Sequence, residues 1–171
     1  DYEQALADAD AALEGDPGSG EAYHLRGDAL LSLGEFAQAD TAYRRAIEQS
    51  PDYAEAHAEL AQLLQQESRH QEALPHFQRA HALVPRSEKT HYLLGTGFLA
   101  VGDTARAEVL FRDAVRMAPP FALAHRDLGI LHLDRGELEA AEHSLLEAAR
   151  LEPDDLDTWY KLGQCYFLQS R

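Results

Sequence analysis

The sequence predicts an all-α fold built from repeated helical hairpins, and three observations carry that prediction. First, alanine (29) and leucine (26) supply most of the 77 apolar residues among 171, whereas valine and isoleucine together supply six. Sheets need β-branched side chains on their pleated faces, so this composition favours helix. Second, Pro17, Pro51, Pro85, Pro119 and Pro153 stand 34 residues apart, a period that signals a stacked repeat architecture. Third, residues aligned on that period fall into apolar columns at offsets of three, four and seven, the spacing of one helical face.

The elements follow in order. Residues 1–19 form a half block whose helix spans about Tyr2–Glu14. Four full blocks follow, 20–53, 54–87, 88–121 and 122–155, and a half block, 156–171, closes the chain with a helix over about Leu156–Gln169. In each block the first helix carries Tyr23, His57, His91, His125 or Trp159 at the fourth place and Arg26, Leu60, Leu94, Leu128 or Leu162 at the seventh. The eighth place is always small (Gly27, Ala61, Gly95, Gly129, Gly163), which lets a neighbouring helix approach closely; the eleventh holds Leu30, Leu64, Phe98, His132 or Tyr166. The second helix carries Ala39, Ala73, Ala107 and Ala141, then Tyr43, Phe77, Phe111 and Leu145, then Ala46, Ala80, Ala114 and Ala148. Gly34, Ser68, Gly102 and Gly136 separate the stripes, where glycine takes the left-handed conformation that ends a helix. The ladder proline ends the second helix. Pro75 falls off the ladder, and its helix is expected to begin one or two residues late to accommodate it.

These 34-residue helix–turn–helix blocks resemble the tetratricopeptide repeat family, whose signature is W-x-x-L-G-x-x-Y, A-x-x-x-F-x-x-A and a terminal proline. Trp159-Tyr160-Lys161-Leu162-Gly163-Gln164-Cys165-Tyr166 matches the first part in full, and the resemblance covers the whole chain in register. It implies a right-handed solenoid of antiparallel helix hairpins, a single array in which stacked neighbours build a continuous core. Leu128→Asp is expected to unfold its middle. The missing initiator Met and the unpaired helices at both ends suggest a fragment of a longer protein, with Trp159, Leu162 and Tyr166 left without a following partner. The alternative is weak head-to-tail self-association through complementary ends.

The resemblance also implies a concave groove, lined by the first helix of each block, that holds a peptide or partner helix. On matching places the expected groove residues are Asp28, Glu55, Glu59, Gln62, Tyr92, Leu99, Arg126, Ile130, Leu133, Tyr160 and Phe167. Acidic and polar residues gather at the N-terminal end and apolar and aromatic ones at the C-terminal end; residues 1–50 hold eleven acids against three bases. A ligand with a basic portion and an apolar portion fits that division. The family's carboxylate clamp on C-terminal tails and its asparagine ladder both require Asn, and the chain has none.

The remaining chemistry is excluded or explained by the repeat. A net charge of −15 disfavours nucleic acid and anionic membrane. No stretch reaches ~18 consecutive apolar residues, and the single Cys165 rules out an internal disulfide framework. No two of the nine histidines stand three or four apart, and His57, His91 and His125 lie on successive helices ~8–10 Å apart, too far to share an ion. No metal, cofactor or catalytic residue is therefore expected. The histidines read as packing groups in interhelical seams, whose protonation near pH ~6.5 loosens the array. Gly95-Thr96-Gly97-Phe98-Leu99-Ala100 mimics a dinucleotide fingerprint but lies within a helix. Cys165 lacks a positioned base.

The expected role is a non-catalytic scaffold for proteins or peptides. The alternatives are a recruiting appendage of a larger enzyme, such as a glycosyl- or sulfotransferase, or a self-assembling array. Thirteen arginines against two lysines suggest a GC-rich bacterial source, and the expected compartment is the cytoplasm.

Overall fold

A computed structural model of the chain describes residues 1–170. Ten helices and no strand are present among them: α1 (Tyr2–Gly15), α2 (Gly20–Ser32), α3 (Phe36–Gln49), α4 (Ala54–Gln66), α5 (His70–Leu83), α6 (Glu88–Ala100), α7 (Thr104–Met117), α8 (Ala122–Asp134), α9 (Leu138–Leu151) and α10 (Leu156–Gln169). They divide into two packed units, Asp1–Pro85 with α1–α5 and Arg86–Arg171 with α6–α10.

Both turns of the repeat have a local cause. Within each hairpin the chain leaves the first helix through a left-handed residue, Gly34 (φ 80°), Ser68 (62°), Gly102 (85°) or Gly136 (73°). The next amide then reaches back five residues: Glu35 to Leu30 O, Arg69 to Leu64 O, Asp103 to Phe98 O and Glu137 to His132 O, at 2.8–2.9 Å. That bond satisfies a carbonyl the helix end would leave orphaned. Ser68 meets the same demand with a Cβ in place, a strained choice for an L-residue. Each second helix ends two residues before its ladder proline. The intervening residue (Asp16, Ser50, Val84, Ala118, Glu152) has φ between −128° and −138°, because the proline ring excludes the helical conformation from the residue before it.

In unit 1, Tyr43 and Phe77 are fully buried and pack with Ala39, Ala46, Ala73, Ala80, Leu30, Leu60 and Leu64 to form the core. In unit 2 the same columns supply Phe111, Leu145, Ala107, Ala114, Ala141 and Ala148. The small eighth place is a steric requirement. A Cβ on Gly27 would lie 2.5 Å from the Tyr43 ring, one on Gly95 2.5 Å from Phe111, and one on Gly129 2.6 Å from Leu145. At Gly163 the corresponding space is open.

Leu162 has its neighbours behind it: it is buried against Leu133, Ala141, Leu145 and Cys165, because α10 packs back onto α8 and α9, while Trp159 and Tyr166 remain exposed. One expectation is corrected. The helix containing Pro75 does not begin late. α5 starts at His70, in register with Phe36, Thr104 and Leu138, and runs through the proline. The packing of Ala73, Phe77 and Ala80 holds the first turn in place despite the lost amide donor, a substitution that costs an isolated helix about 3 kcal/mol.

Candidate functional site

The first helices of the blocks carry the candidate residues, and each unit presents its own set. In unit 1, Asp28 lies on α2, and Glu55, Glu59 and Gln62 occupy one stripe of α4 at spacings of four and three. Asp28 accepts a hydrogen bond from the Tyr43 hydroxyl at 2.8 Å, and Gln62 donates to Glu59 at 3.0 Å. Burial pushes the Tyr43 phenol far above its ordinary range, assisted by Asp28 and Glu59. Burial also raises Tyr53, assisted by Glu55, Glu21 and Asp28. Four carboxylates from two helices thus set a negative field around two phenols. His24 lies between them, its Nδ1 3.2 Å from the Tyr53 hydroxyl and its Nε2 3.7 Å from Asp28. An open hollow of about 700 Å³ lies along Glu21, Ser50, Pro51, Asp52 and Tyr53.

In unit 2, Tyr92 and Leu99 lie on α6, Arg126, Ile130 and Leu133 on α8, and Tyr160 and Phe167 on α10. Their availability differs. Tyr160 (65% exposed) and Phe167 (58%) stand in solvent, whereas Leu133 (9%) faces the core. Leu133 still borders a hollow of about 290 Å³ with Asp134, Gln164, Phe167 and Leu168. Tyr92 is held on both sides: its ring lies 5.5 Å from Phe111 and 5.0 Å from Phe121, and its hydroxyl donates to Asp127 at 3.0 Å. Arg126 donates to Asp127 at 3.4 Å and to Asp155 at 3.3 Å. Burial pushes the Asp127 carboxyl above its usual range, against the pull of Arg126 and the Tyr92 hydroxyl.

Asp155, Phe121, Tyr43 and Tyr53 are absent from the sequence-derived set, yet a spacing marks several of them. The fifth residue of a block meets the last residue of the same block, 29 positions on: His24 with Tyr53, Tyr92 with Phe121, Arg126 with Asp155. The fourth place is explained as well. His57, His125 and Trp159 each donate a ring N–H to the carbonyl of the ladder proline six residues earlier, at 3.1, 2.8 and 2.8 Å. In those three blocks the residue carries an N–H at the far edge of a flat ring, whereas His91 at the same place bonds through Nδ1 to Ser87 O at 2.9 Å. Among the described residues no three His, Cys, Asp or Glu side chains are grouped to hold a metal ion. The Cys165 thiol is buried, donates to Leu138 O at 3.3 Å, and is pushed up by that burial, the opposite of an activated nucleophile. No helix among the described residues is long and apolar enough to cross a membrane.

Comparison with known proteins agrees with this geometry. Tetratricopeptide repeat profiles match residues 1–39, 92–155 and 126–171, a second matches 52–119, and a TPR repeat profile matches 27–68. Protein FlbA of Caulobacter vibrioides is 27% identical over 192 aligned residues, covering 91% of this chain and 32% of FlbA. Human tetratricopeptide repeat protein 13 is 28% identical over 96% of this chain and 20% of its own length. The chain thus spans less than a third of these relatives. Among solved structures, the Cut9–Hcn1 assembly of the APC/C aligns with a TM-score of 0.86 at 16% identity, covering 98% of this chain and 34% of that one. MamA of Desulfovibrio magneticus aligns at 0.80, with 21% identity over 91% and 88% of the two chains. YrrB, described as a TPR protein with an unusual peptide-binding site, aligns at 0.77, with 23% identity over 93% and 82%. At these identities the structural likeness shows the fold.

Proposed function

The chain belongs to the tetratricopeptide repeat family, which serves protein–protein interaction, and from that premise we propose that it is a non-catalytic scaffold whose two units take chemically different stretches of a partner polypeptide. Unit 1 receives basic side chains on Asp28, Glu55 and Glu59, with Gln62 beside them. Unit 2 receives the apolar side of an amphipathic helix on Leu99, Ile130, Tyr160 and Phe167, with the border of Leu133 beneath; Tyr92 and Arg126 shape that face through Asp127. The observation that carries this reading is the contrast in charge and exposure. Unit 1 holds 16 acids against five bases, unit 2 14 against ten, and the most exposed aromatics of the first-type helices, Tyr160 and Phe167, belong to unit 2. Long-range attraction then selects the basic stretch, and burial of about 25 cal/mol per Å² of apolar area holds the other.

Titration calorimetry with a Lys/Arg-rich peptide and with an amphipathic helical peptide tests it. Glu55→Lys with Glu59→Lys is expected to abolish binding of the first peptide and spare the second, and Ile130→Asp with Phe167→Asp the reverse. Loss of both peptides in both variants, with folding intact, refutes it. Copies of the chain are a further partner: Trp159 and Tyr166 flank the open space at Gly163, the place where Gly27, Gly95 and Gly129 receive a neighbouring side chain. Sedimentation that weakens on Trp159→Glu supports this association, and a strict monomer at high concentration excludes it.

A further inference from the structure

His57 and His76 join α4 to α5 through a ring-to-ring hydrogen bond whose geometry depends on how many protons the pair carries. His57 is buried on α4, and its Nε2–H donates to Pro51 O at 3.1 Å. Its Nδ1 is therefore an acceptor, and it faces His76 Nδ1 on α5 at 3.0 Å with the rings 5.3 Å apart. In the neutral pair the bridging proton must sit on His76 Nδ1. One added proton is tolerated: His57 becomes an imidazolium and donates Nδ1–H to His76, whose own proton now sits on Nε2. A second places an N–H on each of two facing nitrogens, which destroys the hydrogen bond and sets two like charges against each other.

The surrounding charges do not relieve this. Asp52 favours a charged His57 and Arg79 opposes it, and those two are themselves ion-paired. His76 feels Arg44 on one side and Glu72 and Asp40 on the other, and Arg44 is ion-paired to both carboxylates. Burial is what remains, and it holds both imidazoles below their ordinary value of 6.5. Unit 2 differs: the Nδ1 of buried His132 faces a carboxylate, Glu137 at 2.5 Å, in place of a second imidazole.

We propose that the His57–His76 pair is an acid-released latch that holds α4 against α5 at neutral pH and lets the hairpin open when both rings are protonated. Because the folded pair binds protons less readily than the unfolded chain, its contribution is complete well above pH 6.5. It falls as pH drops below that value, the opening constant rising up to ten-fold per pH unit for each proton withheld. α4 carries Glu55, Glu59 and Gln62, so acid also loosens the acidic face of unit 1; that consequence, though not the latch, rests on the binding role proposed above.

Hydrogen exchange of the full chain at pH 7.0 and 5.5, corrected for the intrinsic exchange rate, tests the latch. Peptides across residues 54–83 should lose about five-fold more protection, or greater, than peptides across 122–151. In His76→Asn, whose amide donates from the same place without titrating, that excess should shrink to the part His57 alone contributes. An equal loss in the wild type and in this variant, or no excess loss in the wild type, overturns the proposal. Should the variant be unprotected already at pH 7.0, imidazole NMR of the wild type decides. His57 and His76 protonating together with loss of α4–α5 protection supports the latch, and independent titration at ordinary values overturns it.

Discussion

The contact between the fifth and the last residue of a block joins His24 to Tyr53 in unit 1, and Tyr92 to Phe121 and Arg126 to Asp155 in unit 2. One geometry thus holds a polar ring pair, an apolar ring pair and an ion pair. The columns that fill the hairpins behave otherwise. Tyr43, Phe77, Phe111 and Leu145 are equally buried, and Tyr43, Phe111 and Leu145 each lie against a glycine of the preceding helix. Positions that must exclude water tolerate only changes of shape, whereas positions on the outer side of the first helices are free to change charge. The repeat therefore fixes a scaffold on which recognition chemistry varies unit by unit.

The largest test of that comparison is truncation of the shared core. Phe77→Ala in unit 1 and Phe111→Ala in unit 2 should each cost about 3–5 kcal/mol in denaturant unfolding; a cost below ~1 kcal/mol in either unit would break the equivalence. Pro75→Ala should act only on unit 1 and with the opposite sign. It restores an amide donor inside α5 and is expected to stabilise by about 1–3 kcal/mol, read as increased exchange protection across residues 70–83. Within unit 2, Gly95→Ala drives a methyl into the Phe111 ring and should cost about 1–3 kcal/mol. Gly163→Ala meets nothing and should raise stability by up to about 1 kcal/mol through helix propensity. Equal effects at the two glycines would remove the steric account of the eighth place. The smallest effect belongs to Ser68→Gly, expected to stabilise unit 1 by ~1 kcal/mol by relieving the left-handed serine, with no change in binding.

Most of the fold was legible because the repeat averages over accidents. Five ladder prolines and the aligned columns assign each helix its part of a block, the first and last helices fall within a residue of their expected bounds, and even Ser68 could be assigned its turn from its glycine counterparts. Pro75 was misjudged because helix propensity is a local quantity, and the buried face of α5 outweighs it. Leu162 lacks a following partner, as its column implies, but its burial comes from neighbours behind it on α8 and α9, which the columns do not name. The candidate faces were legible only as residue types on one side of a helix. Sequence places Tyr92 and Arg126 there, but their tie to Asp127 depends on side-chain directions between α6 and α8. The pairing of His57 with His76, 19 residues apart on different helices, leaves no periodic trace at all.

The division of chemistry between the units is tested most directly by amide chemical-shift mapping on the isotopically labelled full chain, titrated separately with a Lys/Arg-rich peptide and with an amphipathic apolar one. The account predicts that the basic peptide shifts residues of α2 and α4, with a response that fades as salt rises from about 0.05 to 0.5 M, and that the apolar peptide shifts residues of α8 and α10 with little dependence on salt. Both peptides shifting the same helices, or the basic peptide shifting α8 and α10 instead, would contradict it.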